Sequence, residues 1–238
     1  MIYSRNSKPS ELEFEKLMIA TNDALNKDAA DRCDYYLKRK GTLLEEDVYR
    51  ALMQKAIDTP FEGSIKLISK TAFPDIIAAR FYGVEVKTTT SNHWTTIGNS
   101  VLESTRIVDV ERIWLAFGKL ANPVEFKSRR YEDCLFDIAV THYPRYRINM
   151  DLPVGHTVFD KINIPYDKLR KYDNPIKPIA DYYRNNLKPG ESLWWAQDHD
   201  MDSLSAPAIV RLFSSLSADE KKICLIEGMI LFPEVFEK

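Results

Sequence analysis

Residues 73–90 read FPDIIAARFYGVEVKTTT, and the periodicity of this stretch decides what kind of fold surrounds it. Asp75 to Ala79 is a short apolar run, Phe81-Tyr82-Gly83 supplies a turn with a permissive glycine, and Val84 to Thr90 alternates as a strand does. A β-hairpin is therefore expected. Side chains two apart on a strand share a face, so Glu85 and Lys87 point one way while Val84 and Val86 point into a core. A turn near 81–83 brings Asp75, at the start of the first strand, back opposite residues 85–88. Two carboxylates and an ammonium then converge. Hard oxygen ligands of this kind hold Mg²⁺ against a phosphate, while a lysine orients or deprotonates an attacking water. The expected chemistry is phosphodiester hydrolysis.

The flanking segments supply a core for that hairpin. Ser10 is a candidate N-cap for one or two helices through Leu37, with Leu12, Leu17, Met18, Ala20 and Leu25 at roughly helical spacing. Leu44, Val48, Leu52 and Ala56 mark the apolar stripe of a helix within LLEEDVYRALMQKAI, preceded by Gly41-Thr42. The near-continuous apolar run RIWLAFG, 112–118, reads as a strand buried on both faces and placed at the sheet centre. Leu135 to Val140 is a further strand, whereas 125–130 is charged and turn-like. Prolines at 153, 165, 175, 178 and 189 punctuate a loop-rich region ending at SLWWAQDHD. From Ser217, SADEKKICLIEGMIL reads as an N-capped helix with an apolar face at Ile223, Ile226, Ile230 and Leu231.

Pro74-Asp75, nine residues, then Glu85-Val86-Lys87 resembles the signature of the PD-(D/E)XK nuclease superfamily, and within it the chain looks most like a type II restriction endonuclease. Other acid-x-lysine triplets, such as Glu125-Phe126-Lys127, do not follow a proline-aspartate at hairpin distance. The resemblance implies an α/β fold with a mixed central sheet flanked by helices and a loop-rich C-terminal extension. In domain terms it implies one nuclease domain over 1–238, with a core at about 40–150 and a recognition or dimerisation extension over 151–238. It also implies catalytic roles for Asp75, Glu85 and Lys87, and a metal, Mg²⁺ with Mn²⁺ as substitute, on Asp75 and Glu85. In this family a helix before the hairpin often adds an acidic ligand within a Gly-x-x-apolar-Glu pattern. Gly41, Leu44 and Glu45 match it, although Glu45, Glu46 and Asp47 equally favour the positive end of a helix dipole.

The implied substrate is double-stranded DNA, cut by a homodimer that shares its system with a cognate DNA methyltransferase. After Lys87 the residues Thr88, Thr89, Thr90, Ser91, Asn92, His93 and Trp94 are rich in hydroxyls and amides suited to phosphates and base edges. They read equally well as the end of a strand and a loop. Asn99 or Ser100 can cap a short helix over 101–106, from which Arg106 reaches a phosphate. Arg145 and Arg147, set among aromatics, fit phosphate contact or an ordinary surface.

Composition bounds these readings. With 238 residues, 45% hydrophobic and 29% charged, the chain suits one globular domain with a substantial core. A net charge of −2 does not advertise a nucleic-acid binder. Between Lys161 and Lys188, however, seven basic residues face three acidic ones. Cys33, Cys134 and Cys224 show no metal or disulfide spacing. No apolar run approaches the roughly 20 residues of a membrane span, and the start MIYSRNSKPS lacks the apolar core of a signal peptide, so a cytoplasmic protein is expected. Neither GxxxxGK[ST] nor HExxH occurs, which disfavours nucleotide and zinc hydrolases. The competing functions are a structure-specific repair or junction nuclease and a DNA-binding module without hydrolysis.

Overall fold

The computed structural model describes residues 8–39, 41–68, 72–140, 143–189, 219, 221–223 and 225–226. The chain divides into two compact units, Met1–Ala196 and Gln197–Lys238. In the second unit the described residues are helical, and Ile223, Leu225 and Ile226 are exposed. The rest of the helix expected from Ser217, together with Trp194, Trp195 and Cys224, lies outside the described residues.

The first unit is α/β with a mixed sheet. It opens with α1 (Glu11–Asp31), α2 (Cys33–Leu37) and α3 (Thr42–Lys55). Ser10 caps α1 reciprocally: its Oγ accepts from the Glu13 amide at 3.2 Å and its own amide donates to the Glu13 carboxylate at 2.7 Å. Next come β1 (Lys66–Leu67), β2 (Ile76–Ala78), β3 (Tyr82–Thr89), β4 (Thr95–Ser100), β5 (Arg112–Lys119), β6 (Glu125–Arg130), β7 (Leu135–Val140) and β8 (Pro144–Asn149). Five strands form one sheet in the order β1-β2-β3-β5-β6, with only β3 and β5 parallel, and a separate antiparallel sheet runs β4-β8-β7.

The alternation in β3 and β5 sorts their side chains between two cores. Tyr82, Val84, Val86, Trp114 and Ala116 pack beneath α1–α3 with Phe14, Leu44 and Phe61. Ile113, Leu115 and Phe117 face the other way, into a core built from Leu135, Tyr146 and Ile148 of the smaller sheet. Fully burying one such large apolar side chain contributes roughly 1.5–3 kcal/mol.

The structure corrects several expectations. The segment 125–130 is not a turn but the strand β6, whose edge is closed by Asn26 of α1. That side-chain amide donates to the Phe126 carbonyl (3.0 Å) and accepts from the Phe126 amide (2.8 Å), taking the place of a neighbouring strand. Residues 95–100 form β4 instead of a loop, and 101–106 is a succession of turns instead of a helix. The stretch 151–189 is less loop-rich than its prolines suggest: α4 (Val158–Ile162), α5 (Tyr166–Leu169) and α6 (Ile176–Asn185) bury Val158, Phe159, Tyr166, Leu169 and Ile179 in the second core. Its basic surplus is partly neutralised by Arg170–Asp167 and Arg184–Asp181 pairs, each at 3.0 Å.

Candidate active site

The hairpin forms, with its turn one step earlier than expected. β2 pairs with β3 through Ile76–Val84, Ile77–Gly83 and Ala78–Tyr82, so the reversal falls at Ala79, Arg80 and Phe81, where Ala79 and Arg80 take positive φ of 47° and 68°. Gly83 is therefore a strand residue, required for space and not for its backbone freedom: a Cβ there would stand 2.2 Å from Pro74 Cγ. The register carries Asp75, one residue before Ile76, to the level of Glu85.

Asp75 Oδ2 accepts a 2.7 Å hydrogen bond from the Val86 amide, which fixes its carboxylate against β3. Lys87 Nζ donates to Glu85 Oε1 at 2.5 Å, with the Lys87 side chain 21% exposed and that of Glu85 only 4%. The three side chains singled out in the sequence are thus brought together. Glu85 Oε2 is buried without a hydrogen-bond partner among the described residues, an uncommon condition for a carboxylate oxygen.

Burial disfavours the charged forms here. It pushes the Glu85 carboxyl up to about 7, with Lys87 acting in the opposite direction and the Asp75 charge adding to the rise. Asp75 is raised as well, by burial acting against the Val86 amide and Lys87.

A cation beside Glu85 Oε2 and Asp75 would offset both effects, so the donors fit a hard divalent ion. Among the described residues no three His, Cys, Asp or Glu side chains cluster for a metal. Two carboxylates are nonetheless an ordinary protein contribution for Mg²⁺, which keeps several waters and takes further oxygens from a substrate phosphate. Glu45 is half-buried on α3, a helix in contact with β3.

Of the residues expected to meet DNA, Thr88 and Thr89 finish β3, and Thr90, Ser91, Asn92 and His93 are exposed. The Trp94 ring lies near Lys127 Nζ (4.2 Å) and Lys119 Nζ (5.3 Å), with its centroid 5.7 Å from that of Phe117. Lys119 also donates to Asn92 Oδ1 at 3.0 Å. Arg106 is directed inward. Its guanidinium donates to Glu103 (2.8 Å), the Tyr166 hydroxyl (2.7 Å) and the Val110 carbonyl (3.1 Å), and only 10% of its side chain is exposed.

Asn99 carries a role its sequence neighbourhood does not announce. β4 shifts register against β8 between Ile97 and Ser100, and from this irregularity the Asn99 side chain interacts with the Glu85 carboxyl. Asn99 also lines a cleft of about 320 Å³ bordered by Phe73, Ser100, Glu103, Ser104 and Arg145. The polar run TTIGNS holds no signal that would single this amide out. No family model matches the sequence, and no curated protein matches it.

Proposed function

We propose that this protein is a metal-dependent endodeoxyribonuclease whose reacting centre is Asp75, Glu85 and Lys87. The observation carrying the reading is the convergence of these side chains across the β2–β3 hairpin, with one buried Glu85 oxygen left without a hydrogen-bond partner among the described residues. The same residues carry the resemblance to the PD-(D/E)XK pattern, which agrees with this reading.

Asp75 and Glu85 would hold Mg²⁺, which supplies Lewis-acid charge at a phosphate when bound. Lys87 is tied to Glu85 and partly exposed, so its ammonium can orient a water beside the phosphate. In hydrolysis the water oxygen forms the new bond to phosphorus, the bond to the departing sugar oxygen breaks, and that oxygen takes up a proton as the water loses one. Asn99 steadies Glu85. Glu45 is a secondary candidate ligand, whereas Arg106, whose terminal nitrogens donate to Glu103, Tyr166 and Val110 and whose side chain is only 10% exposed, does not present itself to a phosphate.

Lys87→Ala separates chemistry from folding. Cleavage of duplex plasmid in Mg²⁺ should fall by several orders of magnitude, with thermal unfolding near the parent's. The parent should be inactive with chelator and almost inactive with Ca²⁺. Parental cleavage by Lys87→Ala would overturn the assignment. In its sequence-specific form this activity belongs to a two-fold dimer cutting a symmetric site, with a methyltransferase protecting the host sequence, and gives discrete plasmid fragments. Preference for flaps or junctions marks the structure-specific alternative.

A further inference from the structure

The cleft beside the hairpin has chemistry of its own. Arg145 stands opposite Ser100 across the β4–β8 pair and donates from Nε to the Gly98 carbonyl at 2.9 Å. That bond ties one edge of its guanidinium to the irregular stretch of β4. Among the described residues no carboxylate pairs with Arg145, and no acceptor is bonded to its two terminal nitrogens. Hydroxyls of Ser100, Ser104 and Thr105 line the same cleft.

Among the described residues Glu103 is the one acidic side chain on the wall. Its charge is committed to Arg106 and its oxygens to Arg106 and Tyr166, at 2.8 and 2.7 Å, with 5% of the side chain exposed. What remains open is a fixed cation surrounded by hydroxyls. Asn99 joins this cleft to Glu85, and about 320 Å³ lies at the small end of the roughly 300–1,000 Å³ of ligand clefts.

We infer, resting on the nuclease reading of the hairpin, that the cleft is a phosphate subsite for the DNA strand being cut, in which Arg145 grips a phosphate neighbouring the one at Asp75, Glu85 and Lys87. A guanidinium with one edge pre-anchored presents its free N–H groups to phosphate oxygens with little further ordering. Arg145 is thus a binding residue that registers the strand, and the hairpin supplies the chemistry. Hydrolysis at the hairpin and grip at Arg145 are separable properties.

The test is binding of a mixed-sequence DNA duplex of roughly 30 base pairs with Ca²⁺ in place of Mg²⁺, followed across salt from roughly 50 to 200 mM. Arg145→Ala should weaken binding about tenfold and lower the salt slope by about one, as loss of one phosphate contact does. Because Arg145 also braces β4, Ser104→Glu serves as the second variant: Ser104 is exposed, so the change adds a negative charge to the cleft without touching that hydrogen bond. It should weaken binding to a similar degree with thermal unfolding unchanged. Parental affinity and salt slope in both variants overturn the subsite, even where the parent cleaves DNA. Arg145-dependent binding by a parent that never cleaves in Mg²⁺ upholds phosphate binding in the cleft and overturns the nuclease reading, and with it the placing of that phosphate on a strand being cut. A parent that does not bind the duplex overturns both.

Discussion

Gly83→Ala is the sharpest probe of how the site is held. The added methyl would meet Pro74 Cγ at 2.2 Å and Val110 Cγ1 at 3.1 Å, so Pro74 must retreat by more than an ångström to reach ordinary contact. A pyrrolidine ring can move Cγ only by changing its pucker, and its backbone φ stays fixed. The chain on either side is pinned: Phe73 bonds through its amide to Thr105 (3.1 Å) and through its carbonyl to Ile107 (2.9 Å), and the Asp75 carbonyl accepts from Ile68 (2.8 Å). Overpacking of this kind costs roughly 1–3 kcal/mol, and the rigid neighbour places it at about 3. For a chain of this length that corresponds to a fall in Tm of about 6–12 °C. Chemical denaturation should show a lower midpoint at unchanged slope. Cleavage should fall as well, because Asp75 moves with Pro74. Gly63→Ala is the comparison: no atom lies within 4 Å of its Cβ, but its φ of 70° makes alanine strained, at about 1 kcal/mol. A Gly83→Ala protein within about 0.5 kcal/mol of the parent would refute the packing argument.

The buried charges set two further outcomes. The folded protein holds a proton on Glu85 up to about 7, whereas the unfolded chain releases it near the ordinary 4.5, so stability present in full below pH 4.5 is lost as pH rises through 7. The loss amounts to about 3 kcal/mol. Glu85→Gln, compared with the parent by urea denaturation at pH 5 and pH 8 without divalent metal, should remove most of that slope, and equal slopes would count against the buried-acid account. Arg106→Ala strands the buried Glu103 carboxylate and should destabilise by roughly 3–5 kcal/mol. A stable Arg106→Ala protein with weakened DNA binding would instead restore Arg106 to the phosphate contacts expected from sequence.

The sequence by itself determined the features set by near neighbours. The Ser10 capping box, the stripe of α3, the apolar run of β5 and the pairing of Asp75 with Glu85 and Lys87 depend on spacings of a few residues or one hairpin, where periodicity and capping chemistry act directly. Even there the turn moved from 81–83 to 79–81, because steric demand at Pro74 kept Gly83 in the strand while Ala79 and Arg80 accepted positive φ. The tertiary structure alone decided what depends on distant partners. β6 reads as charged surface in sequence and becomes a strand because β5 and Asn26, 100 positions from Phe126, satisfy its backbone. Arg106 reads as a free cation and is consumed by Tyr166, 60 positions away. Asn99 reaches Glu85, and Arg145 opens onto the cleft, only because a second sheet packs against the first. A side chain's type and local period fix which face it occupies; what it meets there is set by contacts between segments that no local pattern encodes.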